Sequence, residues 1–158
     1  MIIKETLRDI VKLQRQEINF NNTGVERDLL KIIDKTSSHV IILSGIRRCG
    51  KSTLLLQIMK SMPSFYYFNF EDPRAINFEL QDFEKLEIIF QEEFGRCDNY
   101  FFDEIQNVPA WERYIRKLQD RGKKVYLTGS NASLLSRELG TRLTGRHLMY
   151  ELFPFSFS

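Results

Sequence analysis

The feature that most constrains the fold is a glycine-containing loop between an apolar run and a helical pattern. Val40–Leu43 is a continuous apolar run, as expected of a strand that is covered on both faces. Lys51–Met62 has apolar residues at helical spacing, and Pro63 is expected to end that helix. Between them, Gly45–Ser52 reads GIRRCGKS and fits the pattern G-x-x-x-x-G-K-S/T at every fixed position. A strand, this loop and a helix in that order predict a phosphate-binding loop.

The fixed positions of the loop have physical roles. Glycines let the backbone curl so that several N–H groups point at phosphate oxygens beside a helix N-terminus. Lys51 can reach the β- and γ-phosphates, and the Ser52 hydroxyl can hold Mg²⁺. The residues predicted to contact the nucleotide are Gly45, Arg48, Cys49, Gly50, Lys51, Ser52 and Thr53. A glycine-rich turn that matches by chance is the competing interpretation, and the flanking strand and helix argue against it.

Two adjacent carboxylates follow another apolar strand. Tyr100–Phe102 runs directly into Asp103 and Glu104, at the carboxyl edge where α/β sheets bind ligands. Because successive side chains of a strand diverge, we expect different roles for the two acids. Asp103 would act on Mg²⁺ through water, and Glu104 would take a proton from the attacking water. The alternative is a pair of solvated acids at a strand end.

A short polar run follows the next predicted strand, Val125–Leu127. The short polar groups of this run, Thr128-Gly129-Ser130-Asn131, could position the water or contact the γ-phosphate of a bound nucleotide. Capping of the following helix by Ser130 or Asn131 explains the run equally well, and both can be true.

Three arginines, Arg137, Arg142 and Arg146, lie farther along the chain. Phosphoryl transfer commonly uses an arginine that stabilises charge on the transferring group. Surface solvation explains Arg142 and Arg146 equally well, and it is the better explanation for Arg137.

Strand and helix patterns alternate along the whole chain. The predicted strands are 40–43, 65–70, 100–102, 125–127 and 147–152. The predicted helices are 4–16, one opened by a capping box at 23–26, 51–62, one near 78–94, one between Pro109 and Gly122, and 132–139. This alternation predicts an α/β fold with a parallel sheet in three layers.

Composition limits the partners. The chain has 158 residues, about one domain, and a net charge of +2 with its basic residues spread out. That charge gives no indication of a nucleic-acid partner, although it does not exclude one. Cys49 and Cys97 lack the spacing of a zinc site. With no secretory h-region and no apolar run of about 18 residues, we expect a cytoplasmic protein without a membrane span.

The quoted motifs together resemble prokaryotic AAA+-superfamily ATPases of the AAA_14 type, from about residue 25 to the end of the chain. The most distinctive segments are DEIQNV at 103–108 and Thr-Gly-Arg before the last predicted strand. The resemblance implies a P-loop NTPase sheet of order 5-1-4-3-2. It also implies sensor 1 at Ser130 and Asn131, and an arginine finger at Arg146, with Arg142 as the second choice.

We expect two parts in the chain, an N-terminal helical segment, 1–38, that packs on an ATPase core, 39–158. Family members continue into a helical lid and usually a DUF4143 domain, which we expect to be absent here because the chain ends at Ser158. The implied function is Mg²⁺-dependent ATP binding and hydrolysis that drives such a C-terminal domain. A homo-oligomer would bring Arg146 to a neighbouring subunit's γ-phosphate.

Other functions fit less of the sequence. A GTPase would carry an Asn-Lys-x-Asp motif, which appears nowhere in the chain. A small-molecule kinase would need a second substrate pocket, and no motif marks one. A nucleotide-binding module without turnover is the alternative that stays open.

Overall fold

A five-stranded sheet organises the chain in the computed structural model, which describes residues 1–18, 33, 35, 37–45, 50–130 and 147–152. The strands are β1 (Val40–Ser44), β2 (Tyr66–Asn69), β3 (Asn99–Asp103), β4 (Lys124–Gly129) and β5 (His147–Glu151). Their order is β2-β3-β4-β1-β5, and every neighbouring pair is parallel. The predicted fold class and strand order are therefore confirmed.

The helices of the described residues cover both faces of the sheet. They are α1 (Lys4–Glu17), α2 (Lys51–Lys60), α3 (Asp82–Phe94) and α4 (Trp111–Asp120), with short 3₁₀ turns at Pro73–Ala75 and Ile105–Asn107. Within the described part of the chain, none of these helices combines the length and apolar character needed to cross a membrane.

Alternation along the strands divides the core into two apolar clusters. In β1, Ile42 packs with α1, α3 and α4, whereas Ile41 and Leu43 pack with α2. Both sets are almost completely buried, which explains why β1 is apolar at consecutive positions instead of alternate ones. Helices on both faces of one sheet give the predicted three layers.

One helix boundary differs from the prediction. Helix α3 begins at Asp82, not near residue 78. Leu80, an apolar residue at helical spacing from Phe83, packs against the core from the turn before the helix, so its apolar character has a tertiary cause. The Asp82 carboxylate accepts a hydrogen bond from the backbone N–H of Glu79 at 2.8 Å, which fixes the start of the helix. The helices predicted after residue 23 and at 132–139 lie outside the described residues.

Helix α1 lies along β2, the strand at one edge of the sheet. The Gln14 carboxamide accepts from the Asn69 N–H at 2.9 Å and donates to the Asn69 carbonyl at 3.0 Å. Arg15 lies over the Phe65 ring, 4.0 Å from its centroid, and donates to the Phe65 carbonyl at 3.1 Å. These contacts fasten α1 to both ends of β2.

Candidate active site

The carboxyl ends of three adjacent strands meet at one edge of the sheet. Strand β1 leads into the loop at Gly45, β3 ends at Asp103, and β4 ends at Gly129. The Gly45 N–H donates to the Gly129 carbonyl at 3.2 Å, so the start of the loop is tied to the end of β4. Parallel strands in this order therefore bring together residues that are far apart in the sequence.

Lys51 is the first residue of α2 and is only 4% exposed. Its Nζ donates to the Gly45 carbonyl at 2.6 Å and to Ser130 Oγ at 2.9 Å, and it lies 3.0 Å from Glu104 Oε1. An ammonium has three protons, and a buried one is costly unless those protons are paired. The structure supplies an acceptor for each of them.

Gly50 precedes Lys51 with φ 93° and ψ 13°, in the left-handed region. A residue with a Cβ adopts that conformation only at an energetic cost, so the glycine of the motif has a backbone reason. Its carbonyl accepts the first hydrogen bond of α2, from the Leu54 N–H at 3.0 Å. The turn thus directs the Lys51 side chain back towards the sheet edge.

Asp103 is 3% exposed and accepts hydrogen bonds from three hydroxyl groups. Ser52 Oγ and the Tyr67 hydroxyl both donate to Oδ2, at 2.9 and 3.1 Å, and Thr128 Oγ1 donates to Oδ1 at 2.5 Å. Burial raises the pKa of Asp103 above its usual value, although the hydrogen bonds from Thr128 and Ser52 oppose that rise. Burial also raises the pKa of Tyr67 well above its usual range, and the neighbouring Asp103 adds to this effect.

Glu104 does not continue β3 as an alternating strand residue. Its backbone is left-handed, with φ 55° and ψ 52°, and its N–H donates to Thr128 Oγ1 at 2.8 Å. We expected the two acids to diverge because they would be neighbours on one strand, and this reason is wrong. The strand ends at Asp103, and a turn places Glu104 beside Lys51. Such a backbone conformation is strained for a residue other than glycine and is often found at functional sites.

The Glu104 carboxylate is held on both oxygens. Oε1 faces Lys51, while Oε2 accepts from Gln106 Nε2 and from Ser130 Oγ, each at 2.7 Å. Burial alone would raise the pKa of Glu104. The hydrogen bonds from Gln106 and Ser130 and the Lys51 ammonium outweigh burial and hold this pKa below its usual value.

The structure brings together seven of the residues that the sequence predicts for the site. They are Gly45, Gly50, Lys51, Ser52, Asp103, Glu104 and Ser130. Thr53 lies in the first turn of α2 and is half-buried. The remaining candidates lie outside the described residues; they are Arg48, Cys49, Asn131, Arg137, Arg142 and Arg146.

Sequence reasoning did not assign Tyr67 or Gln106 to the site, although each contacts one of the two carboxylates. Thr128 was predicted only as part of the polar run 128–131, and the structure places it within β4 with its hydroxyl on Asp103. Tyr67 shares a sheet face with Asp103 only because Asn69 pairs with Asp103 in register, and that register is not readable from the sequence.

The oxygen donors of the site fit Mg²⁺. Ser52 Oγ and Asp103 Oδ2 are 2.9 Å apart, and both are hard oxygen donors. Within the described residues, no group of three or more His, Cys, Asp or Glu side chains could hold a metal by itself. Mg²⁺ typically binds to one or two protein oxygens together with phosphates and water. The donor set therefore suits Mg²⁺ that arrives with a phosphate ligand.

Comparison with known proteins shows which family the chain resembles. The AAA_14 family model, described as an AAA domain, matches residues 37–158. The chain is 37% identical over 160 residues to the protein called uncharacterized protein MJ1544 of Methanocaldococcus jannaschii, covering 99% of this chain and 35% of that protein. It is 33% identical over 137 residues to an uncharacterized protein of Haemophilus influenzae, covering 78% of this chain and 33% of that protein.

The chain therefore spans about a third of the length of these curated relatives. Among solved structures, that of C. elegans PCH-2 aligns with a TM-score of 0.43 and 13% identity. The alignment covers 94% of this chain and 41% of that one.

Proposed function

This chain belongs to the AAA_14 family of AAA domains, and on that premise we propose that it binds ATP together with Mg²⁺ and hydrolyses it. AAA domains are nucleotide-binding modules of ATPases. The observation that carries the proposal is the linked group of Lys51, Glu104 and Ser130 beside Ser52 and Asp103, assembled at one sheet edge from positions up to 79 apart in the sequence. A chance match to the loop motif gives no reason for these contacts.

Phosphate binding is proposed to begin with Lys51. Its ammonium already lies between the loop and the end of β4, held by Gly45 and Ser130. The β- and γ-phosphates would replace the Glu104 carboxylate as its anionic partner, because the phosphates carry more charge. The backbone N–H groups at the start of α2 would add further donors. ATP binding would therefore separate Lys51 from Glu104.

Ser52 is proposed to hold Mg²⁺ through its hydroxyl oxygen, and Asp103 to hold it through water. The bound ion would neutralise phosphate charge and orient the γ-phosphate. Asp103 can accept hydrogen bonds from ligand water because its carboxylate lies directly beside Ser52.

Glu104 is proposed to act as the general base once Lys51 has turned to the phosphates. It would accept a proton from water while the water oxygen attacks the γ-phosphorus and the bond to the leaving ADP oxygen breaks. Ser130 contacts both Lys51 and Glu104, so a movement of Lys51 towards a bound phosphate would change the hydrogen bonding of the Glu104 carboxylate. Asn131 is proposed to assist at the same edge.

The ATP cycle is proposed to drive another domain, in a protein that is longer than this chain. The relatives are roughly three times the length of this chain, so ATP turnover would act on a C-terminal domain such as DUF4143. Arg146 is proposed as a finger for the γ-phosphate of a neighbouring subunit in a homo-oligomer.

Calorimetric titration with ATP and Mg²⁺ tests the binding step. Lys51→Ala should weaken ATP binding by about 10²-fold or more, because it removes a buried charged donor. Lys60→Ala is the matched control, since it removes an exposed lysine from the other end of the same helix. Unchanged affinity in a folded Lys51→Ala protein would refute the phosphate-binding assignment.

Phosphate release tests the hydrolytic step in the same proteins. Glu104→Gln should keep ATP affinity within a few fold and lower turnover by about 10²–10⁴-fold, as for loss of a general base. Glu84→Gln, at an exposed position of α3, is the control. If the parent protein binds ATP but releases no phosphate, the proposed hydrolysis is refuted and the proposed ATP binding stands. Phosphate release at equal rates from GTP would refute specificity for ATP.

A further inference from the structure

The Tyr67 hydroxyl reaches the carboxylate that the proposed function places at the magnesium site. Tyr67 lies on β2 in register with Phe101, so its side chain is on the same sheet face as Asp103, two residues farther along β3. Its hydroxyl donates to Asp103 Oδ2 at 3.1 Å. The contact exists only because β2 and β3 are neighbours.

Two hydroxyl groups of different mobility donate to Asp103 Oδ2. The Ser52 hydroxyl is on a short side chain at the start of α2. The Tyr67 hydroxyl is on a rigid ring that packs with the apolar cluster beneath α2. A serine hydroxyl can rotate when its oxygen binds a cation, whereas a packed tyrosine keeps its donor in one place. Together with Thr128 on Oδ1, the tyrosine therefore holds the rotation of the carboxylate independently of what Ser52 binds.

We infer that Tyr67 is a positioning residue for the magnesium site, holding the Asp103 carboxylate in the orientation that receives the ion and its water. This inference rests on the proposed function of Ser52 and Asp103. Tyr67 does not touch the nucleotide or the ion in this role. It acts through Asp103, and it should influence only the part of ATP affinity that depends on Mg²⁺.

Thr128 also donates to Asp103, but it is a less selective probe. Its hydroxyl additionally accepts from the Glu104 N–H, so its removal would disturb the turn at Glu104 as well. Among the described residues, the Tyr67 hydroxyl makes its hydrogen bond to Asp103 alone. Tyr67→Phe therefore removes one donor from the carboxylate and retains the ring that packs against the core.

The experiment measures ATP affinity twice for each protein, once with saturating Mg²⁺ and once with EDTA. The ratio of the two affinities is the magnesium-dependent increment. Tyr67→Phe should reduce this increment by about tenfold, because the carboxylate loses a charge-assisted hydrogen bond that orients it for the ion. Its affinity in EDTA should stay within about twofold of the parent, since no phosphate contact changes.

Tyr100→Phe is the matched control. It removes a hydroxyl from a buried strand tyrosine on the opposite sheet face, where the partner is Glu87 at 3.3 Å. Both of its affinities should equal those of the parent. A titration of Mg²⁺ at fixed ATP should also show a higher half-saturating magnesium concentration for Tyr67→Phe and no change for Tyr100→Phe.

The outcomes separate this inference from the proposed function. If Tyr67→Phe has the same magnesium-dependent increment as the parent, the proposed role of Tyr67 is overturned and the proposed function is not affected. Equal losses with and without Mg²⁺ also overturn this role, because they indicate a general effect on folding. A parent that binds ATP equally well in EDTA overturns the magnesium site together with this inference. A parent that does not bind ATP at all overturns the proposed function itself.

Discussion

Replacing Thr128 by valine should destabilise the protein in a way that can be estimated from its contacts. The exchange substitutes a methyl group for the hydroxyl with almost no change of shape. Thr128 is 0% exposed. Its Oγ1 donates to Asp103 Oδ1 at 2.5 Å and accepts from the Glu104 N–H at 2.8 Å. The buried Thr128 Oγ1 therefore links the end of β4 to both Asp103 and Glu104.

Three contributions set the magnitude. A hydrogen bond to a charged group stabilises by about 1.5–3 kcal/mol. The buried N–H of Glu104, left without its acceptor, costs about 1–3 kcal/mol. The added methyl group returns about 0.8 kcal/mol by burial. We therefore expect Thr128→Val to lower the free energy of unfolding by about 3 kcal/mol, within the roughly 5–15 kcal/mol typical of a domain.

Urea denaturation of the nucleotide-free protein measures this loss. Thr128→Ser is the matched control because it keeps the hydroxyl and removes only the methyl group, at a cost of about 1 kcal/mol. The double variant with Asp103→Asn isolates the coupling between the hydroxyl and the carboxylate. If Thr128→Val is no less stable than Thr128→Ser, the hydroxyl does not support the two acids and the estimate is refuted.

The remaining predictions concern acid stability and assembly. The hydrogen bonds from Arg74 lower the pKa of Asp72 to about 2 from its ordinary value of 3.8. The stability that this pair supplies is thus complete above pH 4–5 and is lost as the pH falls towards 2. At about 1.36 kcal/mol per pKa unit, and allowing for the screening of the partly exposed Arg74, Asp72→Asn should cost about 1–2 kcal/mol at pH 7 and almost nothing at pH 2. An equal cost at both pH values in urea melts would contradict this cause. In the longer protein proposed above, mixing Arg146→Ala subunits with Lys51→Ala subunits should restore ATP turnover. The reason is that an arginine finger supplied across an interface raises the rate by about 10³–10⁵-fold. If mixing restores no turnover and turnover does not depend on protein concentration, action between subunits is ruled out.

Much of the fold was predictable because burial on both sheet faces leaves a clear sequence pattern. The consecutive apolar residues of β1 and β3 have no other simple explanation in a chain of this composition. The strand order came from the resemblance, since periodicity alone does not say which strands are neighbours. The start of α3 was misplaced because Leu80 packs against the core from the turn before the helix and mimics a helical position.

The site was predictable where residue type and spacing carry the chemistry, as at Lys51 and Asp103. The conformation of Glu104 was not predictable, because glutamate has no preference for a left-handed backbone and the turn is held by a hydroxyl on another strand. The contact between Tyr67 and Asp103 depends on the register of β2 against β3. Register is a tertiary property that no local pattern of these residues encodes.

The contacts between α1 and β2 have a consequence for how the module meets other chains. An edge strand offers unpaired N–H and C=O groups on which a foreign strand can add, and this is a common route to aggregation. Gln14 satisfies both backbone groups of Asn69 with a single carboxamide, in the way that the peptide group of a sixth strand would. Arg15 binds the carbonyl of Phe65 at the other end of the strand. Helix α1 therefore covers backbone groups of this edge that a foreign strand would otherwise use.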